Sequence, residues 1–212
     1  MKKNIIQPFE QIPCFSRQNL ALYFQGSNSA LNERIKRNLK NRQLLKLKNG
    51  LYTTTMYYRI EQKKTEFKEF IASRLRFPSY LSLEYVLSKY SLLTEATYPV
   101  TSITMKTNRS YQNILGSYAY SHVKSLLYGN FEEVSFYNNS YFIAGKAKAL
   151  FDYLYLKRNL SDPVYEILEG LRINWDNFSR EDFQLFVGYV LDSNSKKMLK
   201  LMQIIKKNIF RL

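Results

Sequence analysis

The stretch that decides the fold runs from Ser16 to Thr54: SRQNLALYFQGSNSALNERIKRNLKNRQLLKLKNGLYTT. Ser16 is a good N-cap residue, and Leu20 and Phe24 follow at helical spacing, so a helix begins there. Gly26 breaks it, and Ser27 or Asn28 caps a second helix. From Ala30 to Arg42 the apolar residues Leu31, Ile35 and Leu39 recur every four positions, one stripe of an amphipathic helix. At 100° per residue the opposite face carries Ser29, Glu33, Lys36, Arg37 and Lys40, with Asn32 beside it. Leu45-Lys46-Leu47-Lys48 then alternates with period two, Asn49-Gly50 signals a tight turn, and Leu51 to Thr54 returns as a strand. Helix, tight turn, longer basic helix and β-hairpin is the order of a winged helix-turn-helix, expected over residues 1–58.

Charge supports a distinct role for this end of the chain. The 212 residues hold 32 Lys and Arg against 17 Asp and Glu, a net charge of +15. Residues 1–60 contain 11 of those basic side chains and only 2 acidic ones, so nine of the fifteen excess charges lie in that quarter. Such asymmetry points to a nucleic-acid or anionic-surface module. In a winged helix the second helix enters the major groove and its first turns reach base edges. Ser27, Asn28, Ser29 and Asn32 are therefore the expected readers. Lys36, Arg37, Lys40 and Arg42, with Lys46 and Lys48 of the wing, are expected at phosphates, supplying affinity that falls with salt. A winged helix also serves as a protein-binding scaffold, so an acidic protein partner stays open as an alternative, as does another DNA-binding role such as replication initiation.

The remainder, 59–212, reads as a mixed α/β domain with a small sheet and several helices, making the whole chain α+β. Residues 61–65 are polar and resemble a linker. Helices are expected at 67–75 and, capped by Ser79 to Ser82, through Tyr90. Strands are expected at 100–107 and 118–126, then a hairpin of Val134 to Tyr137 and Ser140 to Ile143 turning on Asn138-Asn139. Further helices fit 146–157, 164–171 and 181–191. Ser195 or Asn194 caps the last one, with a stripe of Met198, Leu201, Met202, Ile205 and Ile209 to pack inward. Lys148 and Asp152, four apart on one helix, read as a solvated or helix-stabilising pair.

Four short stretches, in order, resemble those of the AbiEi-type antitoxins, regulators of abortive-infection toxin–antitoxin operons. Gly50-Leu51-Tyr52 is similar to that family's "rGiY" at the end of its winged helix. Tyr80-Leu81-Ser82-Leu83-Glu84-Tyr85-Val86-Leu87 is similar to its "sYiSleSAL". Val100-Thr101-Ser102-Ile103-Thr104 is similar to its "vtsvt" strand, and the run Ile143 to Asp152 to its "iAspEKALlD". Lys146 and Ala147 stand where the family has Pro and Glu, so no role is carried to those positions. The resemblance implies a DNA-binding autorepressor and antitoxin acting in phage defence. It also implies a nucleotidyltransferase-type toxin partner, antagonised without a stable complex, while half-site logic leads one to expect a double-stranded operator of inverted repeats.

The residues suggest no reaction. Cys14 is the single cysteine, which excludes an internal disulfide and a cysteine zinc cluster. His122 is the single histidine, expected to be partly buried and structural, and no phosphate-cradling glycine loop occurs. The carboxylate pairs Glu132-Glu133 and Glu181-Asp182 are expected to face solvent. Neither a catalytic residue, a metal site nor a cofactor is expected. With no apolar run of signal or membrane length, the chain reads as cytoplasmic, with no membrane partner.

Overall fold

The computed structural model describes residues 6–94, 99–158 and 160–211. The chain is α+β, with helices and two sheets. It divides into two compact units: residues 1–75 with 111–117, and residues 76–110 with 118–212.

The first unit begins with strand β1 (Phe15–Ser16), helix α1 (Arg17–Tyr23) and helix α2 (Asn28–Lys40). Strands β2 (Leu44–Lys48) and β3 (Leu51–Thr54) and helices α3 (Thr55–Ile60) and α4 (Lys64–Leu75) follow. Ser16 caps α1 through a reciprocal box: its Oγ accepts from the Asn19 N–H at 3.1 Å, and its own N–H donates to Asn19 Oδ1 at 2.8 Å. Ser27 caps α2, accepting from the Ala30 N–H at 3.2 Å. The strands form an antiparallel sheet in the order β1-β3-β2. Gly50 takes φ +76° in the hairpin turn, a conformation that costs glycine little. Leu20 of α1, Leu31 and Ile35 of α2, Leu44 of β2 and Tyr52 of β3 share one core with Ile6, Phe9 and Phe15.

The first compact unit runs on to Leu75, past the boundary expected after residue 58. The polar run at 61–65 leads straight into α4, and only its first residue, Glu61, is buried. Glu61 accepts from the Tyr57 hydroxyl at 2.7 Å and from the Lys63 N–H at 2.8 Å. Phe67 of α4 then packs on Tyr57 of α3, ring centroids 5.3 Å apart. An anchored carboxylate and an aromatic contact hold α4 to the first unit where solvated charges would have let it go.

In the second unit the elements are β4 (Ser79–Leu81), α5 (Leu83–Lys89), β5 (Val100–Thr104), β6 (Arg109–Asn113), β7 (Gly116–His122), β8 (Phe131–Phe136) and β9 (Asn139–Ala144). Helices α6 (Lys146–Leu156), α7 (Pro163–Tyr165), α8 (Arg180–Asp192) and α9 (Lys196–Ile205) follow. The sheet order is β6-β7-β5-β4-β9-β8, with β5–β7 and β4–β9 parallel. Residues 111–117, the tip of the β6–β7 hairpin, group with the first unit. Helix α6 lies between α5 and α8, and Met198, Leu201, Met202 and Ile205 of α9 are buried as their spacing implies. Among the described residues, no helix is long and apolar enough to cross a membrane.

Three local expectations change. Ser79 to Leu81 form a buried strand where a helix cap was expected, because β4 is the central seam between β5 and β9. The β8–β9 hairpin turns on Tyr137-Asn138, one residue early, which leaves Phe136 fully buried and paired with Asn139. The helix expected at 164–171 is α-helical only over Pro163–Tyr165 and widens to a π-type turn through Gly170.

Lys148 and Asp152 are also not solvated. Both are buried, and the ammonium and carboxylate pair directly. Asp152 Oδ2 accepts from the Tyr80 hydroxyl at 2.9 Å and the Ser82 hydroxyl at 2.7 Å, while Lys148 Nζ donates to Leu127 O at 3.1 Å. Burial pushes the Asp152 carboxyl upward; the charge and hydrogen bond of Lys148, then the two hydroxyls, oppose it. Burial, with Asp152 beside it, also holds the Tyr80 phenol protonated, so it stays a donor. The cluster ties α6 to β4 at the centre of the sheet.

Two stability outcomes follow. Leu20→Ala removes a fully buried side chain and should cost about 2–5 kcal/mol in denaturant unfolding. Asp152→Ala and Lys148→Met should each cost roughly 3–5 kcal/mol, since each strands its partner's charge, and the double variant should cost less than the two together. Additive losses would show the pair is not coupled.

Candidate nucleic-acid interface

The apolar stripe of α2 faces the core with Asn38 buried beside it, and most of the remaining helix is turned outward. Ser27, Asn28, Ser29, Asn32, Lys36, Arg37 and Lys40 are all exposed. Arg42, also exposed, follows the helix with φ +53°, and its carbonyl accepts from the Thr55 hydroxyl. Lys46 points from β2 into solvent. Lys36 pairs with Glu33 at 2.8 Å, both side chains largely exposed, so water and salt weaken the contact.

Lys48 departs from its expected place. Its Nζ donates to the Arg74 and Leu75 carbonyls at 3.1 and 2.7 Å, at the C-terminal end of α4. The cause is a β-bulge: Lys46 lies opposite Tyr52 but Lys48 opposite Leu51, neighbouring residues on opposite faces of the strand. Strict alternation would have put both lysines on one face. The tip residue Asn113 adds to this anchoring, donating from Nδ2 to Leu47 O at 3.0 Å. Lys48 thus fixes the hairpin to its own unit and leaves Lys46 as the outward lysine of the strand.

Arg17, which the sequence reading passed over, belongs to this surface. It is the first residue of α1, and its N–H donates to Gly50 O at 2.9 Å, beside the hairpin turn. Its Nε donates to Asn32 Oδ1 at 3.0 Å and its Nη2 to Asn28 Oδ1 at 3.1 Å. One side chain therefore joins the start of α1 to the first two turns of α2. The contacts span 11 and 15 residues, and helical spacing within either helix does not reveal them.

Outside this surface, the residues considered for chemistry have other settings. His122 ends β7 and is exposed, where partial burial was expected, because β7 stops there and its backbone N–H bonds Asn108 Oδ1 at 2.7 Å. Glu132 and Glu133 face solvent on the edge strand β8. Asp182 does not: it completes the cap of α8 and pairs with Lys146 at 3.2 Å, because the N-terminus of α8 is partly covered. Compared with known proteins, the chain matches no family model and no curated relative.

Cys14 is a packed thiol. Burial pushes its pKa up to about 11, against the opposing pull of Arg74 and then Lys48. A raised pKa means the neutral thiol persists as pH rises through 8 and 9. At pH 8 the thiolate is roughly 100-fold scarcer than for a thiol of pKa 9.0. Iodoacetamide labelling of the folded chain should be slower by a similar factor and should accelerate only towards pH 11. Labelling at the rate of a free thiol would contradict this packing.

Proposed function

We propose that this chain is a non-enzymatic DNA-binding transcriptional regulator and antitoxin, repressing its own operon in the cytoplasm, with a winged helix-turn-helix as its first unit. The order β1, α1, four-residue turn, α2, β2, β3 supports that reading of the unit. The observation that carries the DNA reading is the division of α2. Leu31 and Ile35 are buried on one side, while Asn28, Ser29, Asn32, Lys36, Arg37 and Lys40 are exposed elsewhere on the helix. Polar amides at the N-terminal turns and cations further along match the way such helices divide base reading from phosphate holding.

The phosphate contacts of this proposal are Lys36, Arg37, Lys40, Arg42 and Lys46, without Lys48, whose ammonium is engaged within the unit. The Glu33 partner of Lys36 is no obstacle, because an exposed pair of this kind is worth less than about 1 kcal/mol and a phosphate can replace the carboxylate. The antitoxin role rests on the four stretches similar to AbiEi-type antitoxins. It carries the expectation of a nucleotidyltransferase-type toxin encoded beside this gene and of a palindromic operator.

The test is replacement of Lys36, Arg37 and Lys40 by Ala together. Retention of the promoter duplex at about 150 mM salt should disappear while the thermal melt is unchanged. The slope of log K against log salt should flatten by roughly 0.9 for each phosphate contact removed. On co-expression with the adjacent gene, the triple variant should still rescue growth if antitoxin action lies outside α2. Unchanged promoter retention would refute the groove assignment and favour a scaffold that binds an acidic protein.

A further inference from the structure

We propose that Arg17 sets the base preference of α2 by holding the amide oxygens of Asn28 and Asn32, so that both amides offer only their NH₂ groups to the groove. The inference rests on the DNA-binding reading above and assigns the class of base edge that reading leaves open: acceptor-bearing, guanine before adenine.

A guanidinium has five N–H donors and no acceptor, so an amide facing it must present oxygen. Arg17 meets both amides in that way, through Nε to Asn32 and Nη2 to Asn28. Four residues apart, Asn28 and Asn32 stack on one side of α2 and are both exposed. With each oxygen turned towards Arg17, each Nδ2 is turned away from it. Arg17 is itself held at the backbone by Gly50 O and stands at the capped start of α1, so the fork has a fixed origin.

This matters because an unrestrained Asn reads adenine with both ends of its amide, accepting from N6–H and donating to N7. Arg17 occupies one of the two lone pairs of each amide oxygen and holds that oxygen on its own side, so the NH₂ is the end left to approach a base. What remains is a donor, and the major-groove edge richest in acceptors is that of guanine, with O6 and N7 and no donor. Arg17 is thus a positioning residue: it acts through Asn28 and Asn32. A lysine in its place would keep the charge but has no planar fork to hold two oxygens at once.

The experiment selects duplexes from a randomised pool with the full chain and with its R17A, R17K and N32A variants, each checked for an unchanged melt, and compares the enriched sequences. The full chain should enrich guanine at one or two positions. R17A and R17K should shift those positions towards adenine, by about tenfold or more in the adenine-to-guanine ratio. R17K should do so with overall affinity nearly kept, which a simple phosphate contact by Arg17 would not produce. N32A, lacking an exposed side chain the core does not use, should lose the preference at one position.

Unchanged base preference in both Arg17 variants overturns the proposal, as does an N32A variant that keeps every guanine preference of the full chain. Duplex retention without any sequence enrichment also overturns it, while leaving DNA binding standing. A full chain that retains no duplex would instead overturn the DNA-binding reading and this inference with it.

Discussion

Burial of the Leu31–Ile35 side of α2 is the constraint on which the first unit depends. A 13-residue helix with four exposed or half-exposed basic side chains is marginal by itself. It is held because those two aliphatic residues close the core that Leu20, Leu44 and Tyr52 line from the other elements. The same packing fixes the rotation of the helix about its axis, and rotation decides which residues meet solvent. The stripe could not bury on another side without drawing Arg37 or Lys40 out of water, at a cost far above any gain from packing. The exposed polar surface of α2 is therefore a consequence of its core contacts.

The hairpin is fixed by different means. Its sheet is small, and β1 contributes only two residues, so ladder hydrogen bonds are few. Side-chain bonds make up part of the difference: Lys48 on the last carbonyls of α4, and Asn113 on Leu47. Both contacts fall at the bulge between Lys46 and Lys48, so the hairpin is tied to its own unit there by more than its ladder. In the second unit the corresponding role falls to Asp152, which gathers a lysine of its own helix, the Tyr80 hydroxyl of β4 and the Ser82 hydroxyl just beyond it onto one carboxylate.

Much of the first unit was legible in the sequence. The caps at Ser16 and Ser27, the four-residue stripe and the Asn-Gly turn are local signals, and each depends on residues only a few positions apart. What stayed hidden depends on pairing across distance. The bulge that redirects Lys48 leaves the Leu-Lys alternation intact on paper. Strand β6 (Arg109–Asn113) is polar and mostly exposed at a sheet edge, so it carries no apolar alternation to announce it. Buried β4 reads like a cap because Ser82, which follows it and precedes α5, gives its hydroxyl to a carboxylate 70 residues away instead of to the helix. The candidate site follows the same division: its helix was visible from spacing, while Arg17, reaching over from the preceding helix, was not.

The buried Lys148–Asp152 pair has a consequence for how this chain can diverge. Losing either charge alone strands the other in an apolar interior, so a lineage that drifts at one position is pressed to revert or to change the second soon after. Tyr80 and Ser82 share the burden, since both hydroxyls lose their acceptor with the carboxylate. Descendants should keep all four residues or exchange them as a block, while the exposed Lys196 and Lys200 of α9 can vary, and the oldest trace of common ancestry in such a chain would then sit in its interior.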